Sequence, residues 1–225
     1  MIFDLIRNGF SLSLLINLLA RVFIVFCVLP VHEYAHALLA TKQGDPTARL
    51  SGRLTLNPLA HIDPIGGLMI FLVGFGYAKP VPVNIRNFKN RKKGMAITAV
   101  AGPVSNLIMA FLALLVMNIV MVLFASSSAT ILEVTVLFLY FNAMININLA
   151  VFNLLPIPPL DGSRLAAVVL PDRLYYQIMQ YERYIMIGVL FLLFTGILSR
   201  PLLGLSSLVF RGFNVVTGGF ANFIF

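Results

Sequence analysis

Charge and sulfur are the two things this chain has least of. Only 11% of its 225 residues are charged, and there is one cysteine and no tryptophan. A lone Cys27 admits no internal disulfide, so helix packing has to hold the fold together. Acids are scarcer than bases: eight Asp and Glu stand against sixteen Lys and Arg, a formal charge of +8. In a soluble protein that balance would point to nucleic acid, but the sequence between the charges is too apolar for such a partner. Lipid headgroups are the better counterions. What is abundant is hydrocarbon, with 60% of residues hydrophobic and a mean hydropathy of +0.95. A soluble domain cannot hide that much apolar surface, so the bilayer is its solvent.

A bilayer core takes about 20 apolar residues per helix. Runs of that kind lie over 10–40, 94–125, 130–155 and 184–199, which predicts an all-α polytopic membrane protein with about four or five transmembrane helices in a single domain, 1–225. The first run is too long for a signal core and holds ionisable residues, so it is expected to be retained. Residues 201–225 suit either a further span or a segment lying in the interface. Between the first two spans, glycines and prolines break 41–93 into short pieces. Ile65–Ala78, bounded by Pro64 and Pro80, is too short to span and suggests a re-entrant segment or a β-hairpin. The alternation over Arg49–Leu56 suits a short strand, which with a free edge could pair with an extended peptide. Arg86, Lys89, Arg91, Lys92 and Lys93 precede the second span and place that end in the cytoplasm by the positive-inside rule. The same block is a natural contact for anionic lipid. Asn142 and Asn146 share one face of the third span and are expected to hydrogen-bond to neighbouring helices.

The chemistry concentrates at His32-Glu33-Tyr34-Ala35-His36, at the end of the first span. Positions i and i+4 share a helical face, so both imidazoles can ligate one zinc while Glu33 reaches the water that attacks. The bland alternative is a helix end whose polar residues snorkel to the headgroups. A catalytic zinc needs a third protein ligand. Of the eight acids, Asp161 stands out: it follows the proline-broken stretch Asn153–Leu160 and by topology lies on the same side as His36. A helix N-cap is the competing role for it. His61 could support a ligand from behind, ligate in a resting state, or simply be polar in a proline-rich loop, with Asp63 beside it to orient it. Gly102 and Pro103 suggest close packing and a kink next to the site.

HEYAH, AGPVSN (Ala101–Asn106) and FNLLPIPPLDG (Phe152–Gly162) together resemble the site-2 protease family of intramembrane zinc metalloproteases. LNPLAHIDPIGG (Leu56–Gly67) and YAKPVPVN (Tyr77–Asn84) look like its compact prokaryotic branch. The resemblance implies one zinc held by His32, His36 and Asp161, with Glu33 as the base. It implies substrates that are transmembrane proteins or peptides, cut in or near the bilayer of a prokaryotic cell membrane; the positive-inside orientation puts the site towards the cytoplasm. The chain departs from larger members in having no stretch for a PDZ or CBS domain. Asn106 and Asn153, each within a resembling motif, are candidates to stabilise the oxyanion or position substrate, or else to bond neighbouring helices. A zinc transporter or a non-catalytic adaptor are the rival readings. Transport needs no unligated carboxylate beside the metal and does need ionisable residues along a path, which the second and fourth spans lack.

Overall fold

The computed structural model describes residues 11–72, 78–125 and 129–224, and among them every regular element is helical. The first span is one continuous rod, Leu12–Lys42, built as α1 (Leu12–Phe23), a π-turn (Ile24–Val28) and α2 (Leu29–Lys42). Ser11 caps its start, its Oγ accepting from Leu14 N at 3.2 Å. Pro30 has no N–H to donate and its ring crowds the preceding turn. The π-turn immediately before it absorbs that misfit and resets the phase of the helix just ahead of His32. Arg21, an intramembrane cation, is not left alone: Nε donates to Asn17 Oδ1 at 2.7 Å and Nη1 to the Ile70 carbonyl at 2.6 Å.

The connection that follows holds α3 (Thr47–Leu50), a 3-10 turn at Pro58–Ala60, α4 (Pro64–Leu72) and a second 3-10 turn at Ile85–Asn87. No strand forms over Arg49–Leu56, contrary to the expectation from alternation. The Asp45 Oδ1 accepts from both Thr47 N (3.1 Å) and Thr47 Oγ1 (2.5 Å), which starts a helical turn there, and Gly52 closes it at φ +67°. Leu50, left 81% exposed, has no partner strand to cover it. The hairpin reading of Ile65–Ala78 falls partly on 73–77, outside the described residues, and its first part is helix α4. Asp63 caps that helix, accepting from Ile65 N and Gly66 N at 3.0 and 2.9 Å. It is therefore not the partner of His61.

α5 (Arg91–Leu123) and α6 (Thr130–Asn153) pack as an antiparallel pair, Ala110 against Ile147 and Val151, and Leu114 and Met117 against Ala143. With Leu12–Lys42 they are the three described helices long and apolar enough to cross a membrane. Among the described residues, Asn142 and Asn146 make no hydrogen bond across helices, contrary to the expectation. Each donates Nδ2 to the carbonyl four residues back, at 2.9 and 2.8 Å, the local option always open to a helical amide. After α6 come α7 (Gly162–Val169), α8 (Asp172–Met179), α9 (Glu182–Phe194) and α10 (Ser199–Ile224). The segment 184–199 falls mostly in the 13-residue α9, only about 20 Å long at about 1.5 Å per residue, and a left-handed Gly196 at φ +77° follows it. The last stretch, Ser199–Ile224, is instead a long helix laid on α5 and α6 through Leu202, Val209, Phe210 and Phe213. Asn118 Nδ2 fastens it, donating to Asn214 Oδ1 and Thr217 Oγ1 at 3.0 Å each.

Candidate metal centre

Three stretches of chain meet at one end of the helix pair: α2, the first half of α5, and the turn between α6 and α7. His32 and His36 lie one turn apart on α2 and both are buried, their ring centroids 4.7 Å apart in an edge arrangement. Their Nε2 atoms approach to 3.1 Å. His36 Nδ1 lies 2.7 Å from the Thr98 carbonyl of α5, so that nitrogen carries the proton and donates, and Nε2 keeps a bare lone pair. His32 Nδ1 has no partner among the described residues.

Asp161 closes the group. It stands at the N-cap position of α7 but makes no capping hydrogen bond. Its Oδ2 points instead to His32 Nε2 at 3.3 Å and His36 Nε2 at 3.2 Å. Glycine at 162 is what lets it arrive there, because a Cβ would collide with the carbonyl oxygens of Leu154 and Leu155 at the end of α6. Glycine at 102 does the same from the other side. A Cβ on that residue would come under 3.0 Å from the Nε2 atoms of both histidines, so α5 offers the imidazole pair a bare backbone face.

The donor set fits zinc. Two imidazole nitrogens and one carboxylate oxygen, all within 4.8 Å of one another, are three donors of the type catalytic zinc takes. Glu33 is the next residue along, buried but outside this group, and its Oε2 accepts a hydrogen bond from Val81 N at 3.2 Å. A cavity of about 340 Å³ opens beside them, bounded by His32, Glu33, Pro80, Asn153, Asp161 and Met186.

The other sequence candidates separate. Asn153, the last residue of α6, reaches the cavity. Asn106 is 1% exposed one turn beyond Gly102, with neither amide atom partnered among the described residues. His61 is fully buried but apart from the ligand group, its Nε2 tied to the Thr55 carbonyl at 2.8 Å within its own loop. Three contributors carry no mark that sequence reasoning had used. Thr98 and Val81 act through backbone atoms. Arg53, buried, donates Nη2 to the carbonyls of Lys79 and Pro80 and so holds the strip that contains Val81.

A Bacillus subtilis protein named as a candidate zinc metalloprotease, YwhC, is 40% identical over 181 residues, 78% of each chain. The sequence profile of Peptidase family M50 matches residues 116–195, the stretch that delivers Asp161. The chain belongs to peptidase family M50. Candidate zinc metalloproteases named Rip2 from Mycolicibacterium smegmatis and Mycobacterium tuberculosis are 32% and 33% identical over 137 and 136 residues, and there the chain spans half the relative's length. No solved structure matches significantly. As an M50 protein, the chain is a membrane-embedded zinc metalloprotease of the site-2 protease kind.

Proposed function

We propose that this M50 protein is an intramembrane endopeptidase that hydrolyses peptide bonds in or near transmembrane segments of other membrane proteins, from a single domain in a prokaryotic cell membrane. His32, His36 and Asp161 hold the zinc, and Glu33 carries the proton. One observation supports the reading above the others: the three ligating side chains converge while Glu33, a fourth ionisable group, sits buried beside them uncommitted to the metal. A binding or transport site has no use for that carboxylate, whereas hydrolysis requires it.

When bound, zinc supplies polarisation of the scissile carbonyl and a lowered pKa for water. Glu33 takes the proton from the attacking water and returns it to the leaving amine. The Val81 amide, donating to Oε2, keeps that carboxylate from swinging onto the metal ligands. Asn153, at the cavity wall, donates its amide to the oxyanion that develops, and Asn106 is a second candidate donor deeper on α5. A helical substrate has its carbonyls occupied by its own hydrogen bonds, so it has to unwind locally before it reaches Glu33. The basic block Arg86–Lys93 orients this end of the molecule to the cytoplasm.

The test pairs metal content with cleavage of a transmembrane reporter, using the detergent-purified protein. Glu33→Gln is expected to keep zinc and lose about 10²–10⁴-fold in rate. His36→Ala and Asp161→Ala are expected to lose both. Zinc binding with no cleavage by the unaltered protein, across several reporters, would move the reading to a transporter or adaptor. Full zinc occupancy in Asp161→Ala would remove the third ligand from the scheme.

A further inference from the structure

Away from the metal centre, a cavity of about 620 Å³ lies where the 3-10 turn Ile85–Asn87 and the first turn of α5 face α8. Arg86, Arg91 and Lys92 line it, together with Tyr175, Tyr176 and the apolar Met95. No Asp or Glu is among its described lining residues. Arg86 and Arg91 are exposed, and no ion pair among the described residues engages either one. Asn90, at the head of α5, already spends its side chain on capping the helix, accepting from Lys93 N at 3.0 Å. The attraction for an anion therefore comes from the side-chain cations and not from the helix end.

The cavity is cationic at one level and apolar at the next. Arg91 opens α5, and from Gly94 to Leu123 that helix carries no charged residue, so Met95 stands where the basic block gives way to the spanning part of the helix. Tyrosines at such a level are typical of the headgroup layer, with the ring towards the tails and the hydroxyl towards water. Guanidinium groups match phosphate oxygens in a two-pronged geometry, and they do so best where water is partly excluded. A soluble phosphate ester would use the cations and leave the apolar side of the cavity unfilled. A phospholipid uses both.

We propose that this cavity binds the headgroup of an anionic phospholipid, with Arg86 and Arg91 on its phosphate and the hydroxyls of Tyr175 and Tyr176 towards the polar end of the headgroup. The site is separate from the zinc ligands, and binding at it does not require that the protein cleave anything. Its test is a binding measurement on the full chain in detergent micelles. Dioctanoyl phosphatidylglycerol, dioctanoyl phosphatidylcholine and glycerol phosphate are titrated in turn, and bound lipid is counted by native mass spectrometry. Phosphatidylglycerol is expected to bind about 10-fold or more tightly than phosphatidylcholine, and glycerol phosphate is expected not to displace it. The double variant Arg86→Gln/Arg91→Gln is expected to lose that preference. Arg49→Gln, which removes an exposed cation outside the cavity, is expected to keep it. Equal binding of the two lipids, or an unchanged preference in the double variant, would overturn the site. Displacement by glycerol phosphate at matching concentration would overturn the lipid as its occupant and assign a soluble phosphate ester.

Discussion

Gly102 does most at the scale of one residue. It has no side chain, and that absence is what allows α5 to touch the two imidazoles. Gly102→Ala puts a methyl where the ligand nitrogens are, so either the rings rotate off the metal or α5 withdraws. We expect zinc content and cleavage to fall to background while circular dichroism keeps its full helical signal; wild-type zinc content in that variant would show that the contact is dispensable. The grouping of the two histidines was legible in the sequence from their i, i+4 spacing, and Asp161 as their partner from the scarcity of acids together with the family resemblance of the motif around it. The Thr98 carbonyl and the Val81 amide were not legible, because a backbone atom can be offered by any residue type. Gly102 fell between these cases: it was read as a packing glycine without the ligands as its packing partner.

At the scale of elements, the strip from Lys79 to Asn87 is the piece that periodicity could not anticipate. Val81, Val83 and Ile85 alternate with proline and polar positions along it, but Pro80 and Pro82 have no N–H for a sheet ladder, and its path is set by bonds from elsewhere: Arg53 on its first carbonyls, Glu33 on the Val81 amide, and Asp45 on Asn84 N (2.7 Å) and Asn87 Nδ2 (2.8 Å). The same Asp45 turned the expected strand at Arg49–Leu56 into a helical turn, which is why a local alternation misled. Asp45 is fully buried. Burial works to raise its carboxyl, but hydrogen bonds from Thr47, Asn87 and Asn84 prevail and hold it below its ordinary value. A depressed folded-state pKa means stabilisation that is complete above the unfolded value of about 3.9 and fades as pH falls through the folded one. Asp45→Asn is therefore expected to cost about 1–3 kcal/mol at neutral pH. The gap between variant and parent should close as pH drops below about 4, as read by thermal unfolding in detergent. A gap that stays constant with pH would contradict the assignment.

On the scale of the whole molecule, the proposed metal would join the first span, through His32 and His36, to the α6–α7 turn, through Asp161. Zinc should accordingly act as a tertiary brace. At free zinc about 100-fold above its dissociation constant, the gain is about 2.7 kcal/mol. The unfolding midpoint is expected to fall on chelation and recover on re-addition, and in Asp161→Ala to respond to neither; a parent protein indifferent to chelator would mean the brace is not metal. The same separation along the chain has a consequence for biogenesis. The histidine pair is complete by residue 36, and its carboxylate partner arrives only at residue 161. At about 5–20 residues per second, a ribosome takes roughly 6–25 seconds to cross that interval. On the proposed ligand set, the newborn chain would pass among other inserting segments throughout it with two of its three ligands, and would not yet be able to cut its neighbours at the moment they are least protected.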